Sequence, residues 1–489
     1  MTTRLRILLA AVLTLVPAAA GGQGRECELV RASQARRMET AFSEIWFVSG
    51  PAEFRCADGT ELRADSAIYY GDVSLELIGR VFYADSVRTL EAQRTVYYFA
   101  SQRLHAQGDV VLSDRRRDGS VIRGASLTHE RQTPERPEAR TIVTGPPRPH
   151  ATFHPGRPAE ATPGDTAGLP FEVDADWMEI RGENRFTANG NVEITRGETR
   201  SAARGALYDQ AEERLVLTMD AWIEQDDLRL QAQNIEVALS GERLRAVTAT
   251  DEAHLEGREL AVDAATIRLE FEGGTLQRLI AVVPPPTAQS AGSEPAFERP
   301  RALARARDLR LVADSIDALA PGQTLREIIA VGDAFAQRQP DSLSVGLPEL
   351  IANDWVSGDT INAYFAVAEK GAAASAPAQA AEPPRADSAA GAARDSAEVV
   401  LERLIVTGAG GRAQALYRVG RDRGDPGPPA INYTVADRIT LVLSDGEVKE
   451  AEATGEVRGR YLEPQRKPAR PAPEPESAPA QRPPTTGSR

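Results

Sequence analysis

Residues 103–112 read RLHAQGDVVL, and the conformation of Gly108-Asp109 in their middle decides the fold. A glycine–aspartate pair is a common hairpin turn, which would end the strand. The flanking residues argue against a turn. Leu104, Ala106, Gly108, Val110 and Leu112 fall on one side of an extended chain, and His105, Gln107 and Asp109 on the other, the period-two signature of a half-buried strand. The frame recurs at Leu75-x-Leu77-x-Gly79-x-Val81, Phe186-x-Ala188-x-Gly190-x-Val192, Ile328-x-Ala330-x-Gly332-x-Ala334, Leu404-x-Val406-x-Gly408-x-Gly410 and Ala451-x-Ala453-x-Gly455-x-Val457. Recurrence in phase predicts a strand that continues through each glycine, bends or packs tightly there, and keeps the glycine on its apolar face.

A second element accompanies the first. Leu62-Arg-Ala64-Asp65-Ser-Ala-Ile68-Tyr69 is echoed by Leu90-Glu-Ala92-Gln93-Arg-Thr-Val96-Tyr97, Ser201 to Tyr208, Leu230 to Ile235, Val262 to Ile267, Leu311 to Ile316 and Thr434 to Ile439. Each is expected to be another alternating strand, giving a two-strand unit about every thirty residues, a spacing that marks an array. Apolar positions recur at two rather than at three and four, so helices are not expected. The fold class is all-β.

Composition divides the array. Residues 145–170, 284–300, 371–397 and 464–489 are rich in Pro, Ala, Gly or Ser and bury too little apolar surface to offset ordering entropy. They separate four expected β blocks at 21–144, 171–283, 301–370 and 398–463. The first twenty residues join Arg4 and Arg6 to an apolar run that closes on Ala18-Ala19-Ala20, the layout of a cleaved signal peptide. The run is too short to span a membrane. Gly24-Arg25-Glu26 before Cys27 is not a lipidation signal. Export to the periplasm is the expectation, and it makes Cys27 and Cys56 a candidate disulfide, two free thiols being the alternative. A net charge of −14 argues against a nucleic-acid partner.

Motifs of chemistry are scarce. His150 and His154 have i, i+4 spacing, but Pro149 and Pro155 flank them, which disfavours a helical metal site. No nucleophile elbow, phosphate loop or zinc-protease motif occurs. Asp65, Asp85, Asp176, Asp314 and Asp437 mostly repeat one position opposite the apolar face, whereas a catalytic carboxylate pair would be unique. No catalytic residue, metal or cofactor is expected, and the chain is not expected to be an enzyme.

The motifs Ala64-Asp65-Ser66-Ala67-Ile68-Tyr69, Leu75 to Val81, Leu104 to Val110, and Asp176-Trp177 followed by Phe186 to Val192 resemble those of the organic-solvent-tolerance family, which includes the periplasmic bridge protein of lipopolysaccharide export. The resemblance implies an open, twisted β-jellyroll of two facing antiparallel sheets whose interior carries acyl chains. It also implies edge-strand pairing with other jellyroll components of an export machine. The groove is then expected to be lined by Leu75, Leu77, Gly79, Val81, Leu104, Ala106, Gly108, Val110, Phe186, Ala188, Gly190 and Val192, with lipopolysaccharide or another amphiphile as partner. The alternative is a structural or adhesive β-repeat protein of the cell envelope with a dry core. The chain is longer than a single-jellyroll bridge and lacks the aromatic-flanked strands of an outer-membrane barrel.

Overall fold

The computed structural model describes residues 27–40, 44–57, 59–115, 120–154, 169–182, 184–241, 243–257, 260–283, 301–306, 309–338, 353–367, 399–419, 430–444 and 447–463. The expected signal peptide at 1–20, the segments 284–300 and 371–397 and the tail at 464–489 lie outside them. The described chain is all-β, with thirty strands and a single 3-10 turn at Pro321–Gln323. Its ladders are antiparallel apart from one parallel bridge between Val419 and Val448. Among the described residues no helix is long and apolar enough to cross a membrane.

Contacts divide the chain into two compact units, residues 1–258 with 263–277, and residues 259–262 with 278–489. Segments 21–144 and 171–277, expected in separate blocks, therefore share one unit. The reason lies in the expected linker 145–170, which contains the strand His150–Phe153. That strand pairs with Val121–Glu130 on one side and Phe171–Asp174 on the other. Strand Arg140–Thr144 likewise pairs with Trp177–Arg181. Ala151, fully buried, supplies the apolar anchor that a composition average over the Pro-rich segment hides.

In the first unit, Glu44–Cys56, Glu61–Tyr70, Ser74–Ala84, Arg88–Tyr98, Arg103–Asp114 and Val121–Glu130 pair consecutively. A second consecutive run joins Arg185–Arg196, Thr199–Asp209, Arg214–Gln225, Leu228–Ser240 and Arg243–Glu256. The stretch RLHAQGDVVL is indeed one strand, Arg103–Asp114. Within it Gly108 and Asp109 both take positive φ, 78° and 47°, and the register shifts with both neighbours, between Gln107 and Val110 against Val121–Glu130 and between Gln107 and Val111 against Arg88–Tyr98. The pair forms a β-bulge, with one more residue on its strand than on its partner. Gly79-Arg80, Gly190-Asn191 and Gly332-Asp333 repeat the left-handed pair.

The bulge explains the second element, which is not a plain alternating strand. In Arg88–Tyr98, Leu90 and Ala92 are buried, Gln93 and Arg94 are both exposed, and Thr95 and Tyr97 are buried again. The strand slips phase by one residue opposite the extra residue of its neighbour. Glu61–Tyr70 slips likewise, from buried Leu62 and Ala64 to buried Ala67 across exposed Asp65.

At some bulges the neighbouring strand breaks outright. The strand Arg185–Arg196 pairs through Arg185–Asn189 with Trp177–Arg181 and through Glu193–Thr195 with Phe171–Asp174, so it leaves one ladder and enters another at Gly190-Asn191. Strands that change sheet at a bulge build the corner of a two-layered roll. In the second unit Glu327–Arg338 does the same at Gly332-Asp333, between Ser315–Leu319 and Leu309–Ala313. Two expected frames fail. The strand Glu447–Thr454 is largely exposed and ends before Gly455, and the frame at Gly408 is broken as well. The strand Val399–Thr407 ends before Gly408, and the chain turns there, with the Gly408 N–H donating to Asp437 O at 2.9 Å. A Cβ on Gly408 would lie 2.6 Å from the Ala413 nitrogen, so this glycine serves a turn rather than a bulge.

Candidate apolar cavity between the sheet layers

The apolar faces at the corners are closed. Leu75, Leu77, Val81, Leu104, Ala106, Val110, Ala188 and Val192 are all 2% exposed or less. Arg80, Gln107 and Asp109 point to solvent, while His105 is half-buried with Nδ1 3.1 Å from Thr128 Oγ1. Small side chains are frequent there, Ala106 and Ala188 being fully buried.

The glycines keep space for polar neighbours. A Cβ on Gly79 would come 2.6 Å from Asp65 Oδ2, on Gly108 2.7 Å from Gln93 Oε1, and on Gly190 2.5 Å from Asp176 Oδ2. Those partner side chains belong to the second sequence element. Asp65 is fixed by Arg80, whose Nε and Nη2 donate at 2.9 and 2.6 Å to Oδ1, and this pairing lowers the Asp65 pKa. Asp109 accepts from Gln93 Nε2 at 2.6 Å, and Asp176 from Asn191 Nδ2 at 2.9 Å. Gly79, Gly108 and Gly190, expected to line a groove, are instead half-buried corner residues. The repeated aspartates are their polar seats.

Away from the corners the layers diverge and the first unit opens into a cavity of about 470 Å³. Its walls include Leu112, Ile122, Val173, Ile194, Val237 and Val247. Of the twelve residues expected to line a groove, Phe186 alone is on this wall; it packs edge-on to Phe153 with ring centroids 4.7 Å apart. The polar members of the lining sit at strand ends. Arg88 and Asp114 face each other in register, Arg185 faces Asp209, and Arg196 and Gln225 close their own strands. An apolar interior with polar groups at strand ends suits an amphiphile. Sequence reading missed this wall because it followed the glycine frame. The available signal was the change from Ala near the glycine to Leu, Ile or Phe a few residues further along each strand, as from Ala106 to Leu112.

Beside the cavity lies a buried polar cluster. Asp85 Oδ2 accepts from Tyr83 Oη at 2.9 Å and from Arg131 Nη2 at 3.2 Å, and Arg131 also donates to Tyr83 Oη at 2.6 Å. His129 Nδ1 lies 2.8 Å from Thr141 Oγ1 and 3.4 Å from Arg88 Nη1. Burial, reinforced by the charge of Arg88, pushes the His129 pKa down to about 4.

The second unit has a smaller void of about 70 Å³ lined by residues such as Leu311, Val356, Ile361 and Leu441. Asp354 borders it and accepts from Arg418 Nη1 at 2.6 Å; burial raises its pKa despite that partner. Cys27 and Cys56 form a disulfide that ties strand Cys27–Arg31 to Glu44–Cys56, where the two cysteines are register partners. His150 lies on a strand with Nδ1 3.0 Å from Asp174 Oδ1, and the backbone N–H of His154 donates to Ser120 Oγ. Among the described residues no group of His, Cys, Asp and Glu could hold a metal ion. No protein-family model matches the chain, and no curated protein is similar to it.

Proposed function

We propose that the protein is a periplasmic lipid-binding bridge or chaperone, serving lipopolysaccharide transport and outer-membrane assembly by carrying acyl chains between its sheet layers. The observation that carries this reading is the apolar cavity of about 470 Å³ in the first unit. Its size is within the roughly 300–1,000 Å³ of small-molecule sites. A dry structural roll gains nothing from such a space, since unfilled volume forfeits packing contacts. The resemblance of the repeated motifs supports the route of transport, and the disulfide supports an oxidising compartment.

The test is mass spectrometry of lipids that co-purify with the mature chain expressed in an envelope-bearing host. Stoichiometric lipid is expected, released on unfolding. A lipid-free protein with an unchanged fold would favour the structural-repeat reading, to which the second unit, with its void of only about 70 Å³, is the better match.

A further inference from the structure

We infer that four aromatic rings, Phe153, Phe171, Phe186 and Tyr208, clasp the two sheet layers of the first unit together at the rim of its cavity, and that an acyl chain enters sideways by parting them. The inference rests on the lipid-carrying reading and adds the route by which cargo is loaded.

The rings come as two cross-strand pairs. Phe153 and Phe171 are register partners on His150–Phe153 and Phe171–Asp174, and Phe186 and Tyr208 are register partners on Arg185–Arg196 and Thr199–Asp209. The pairs belong to different layers. Phe171–Asp174 pairs with Glu193–Thr195, beyond the bulge at Gly190-Asn191, whereas Phe186 lies before that bulge in the half that pairs with Trp177–Arg181. Each ring of one pair meets a ring of the other: Phe153 is edge-on to Phe186 with centroids 4.7 Å apart, and Phe171 is tilted against Tyr208 at 6.4 Å. Arg196 further fixes Phe171, its Cζ lying 4.1 Å over the ring. Only 5% of the chain is aromatic, so four rings converging on one spot mark a specific contact rather than general core filling.

Position makes this contact a threshold. Phe153 closes its strand, Phe171 opens its own, and Phe186 and Tyr208 are each one residue from a strand end. Two residues inward on the same faces, Val173 and Ala206 are already on the cavity wall. Within each layer neighbouring strands are joined by backbone hydrogen bonds, which a passing chain would have to break. At the corner the layers are joined by the strand itself, which runs through the bulge from one ladder into the other. At the strand ends the layers meet through these side chains, and single aromatic contacts are weak enough to part and rejoin as lids do. The seam at the rings is therefore where a chain passes without breaking a ladder.

The test is stopped-flow exchange of a fluorescent polyene fatty acid, standing in for one acyl chain, with the delipidated full-length mature protein. A clasp on the entry path affects the barrier and not the bound state. Phe153→Leu and Phe186→Leu should therefore each raise the association and dissociation rates together, about fivefold, with the equilibrium affinity within about twofold of the unaltered protein. Joining the layers should do the reverse. Beside the intact Cys27–Cys56 disulfide, the double variant Phe153→Cys, Phe186→Cys should exchange the probe quickly as free thiols and slowly once a short bis-maleimide bridges them. Gly108→Ala, which strains a corner instead, should leave both rates unchanged. Unchanged rates in the leucine variants, or no slowing by the bridge, would overturn the clasp and leave the lipid-carrying reading standing, with entry along the axis of the roll. Equal acceleration by Gly108→Ala would overturn it too, by showing that exchange follows general loosening. Failure of the unaltered protein to bind the probe would overturn both this inference and the reading beneath it.

Discussion

The residue that carries most consequence is the glycine of the bulge. Its φ near +78° at position 108 lies where an L side chain costs about 1–2 kcal/mol, and a Cβ there would also press on Gln93. Gly108→Ala should therefore lower stability by more than about 2 kcal/mol, read as a shift in urea midpoint. Two corners do without glycine: Met219-Asp220 and Asp251-Glu252 both hold positive φ on consecutive residues. Met219→Gly should consequently stabilise the protein by about 1 kcal/mol, and a loss of stability would show that the left-handed pair is not the strained feature. His129 sets a pH dependence. Its folded pKa of about 4 lies below the unfolded value near 6.5, so on acidification the unfolded chain takes up the proton first. Stability is unaffected above about pH 6.5 and falls as pH drops toward 4, by roughly 2 kcal/mol at pH 5. In His129→Gln the part of the acid sensitivity between pH 7.5 and pH 5 that belongs to this group should vanish, measured by denaturant unfolding at both values.

At the scale of the strand, alternation was legible from the residues alone, and with it the burial of Leu104, Ala106, Val110 and Leu112. The continuation of the strand through Gly108 was legible too, because six in-phase copies outweigh the local turn preference of one dipeptide. The corner was not. A bulge adds one residue relative to the partner strand, so its trace is a phase slip in the neighbour, and Gln93-Arg94 reads from sequence as ordinary polar alternation. The glycine-free corners leave no trace at all, and the strand His150–Phe153 was concealed by surrounding prolines. The same geometry distributes side-chain size. Ala106, fully buried at a corner, has no room to grow, and Ala106→Leu should cost about 1–3 kcal/mol by overpacking. Ala206, buried but on the cavity wall, should accept leucine at a cost below about 1 kcal/mol. Comparison of the two thermal midpoints checks this, and equal losses would mean that the layers do not diverge between corner and cavity.

For the molecule as a whole, the bulges recur in both units, and the two units differ in the space they enclose. The first unit leaves a lipid-sized space, and the second leaves almost none. The proposed cargo carriage is thus assigned to the first unit, and to residues well along each strand rather than those flanking the glycines. The most direct measurement is in-cell photo-crosslinking from single positions in the folded protein, with captured adducts identified by mass spectrometry. Ile122 and Val237 are buried on the cavity wall, whereas Gln107 and Asp109 face solvent. A crosslinker at 122 or 237 is expected to capture lipid, and one at 107 or 109 is not. Equal capture on both faces, or none from the cavity wall, would contradict the account.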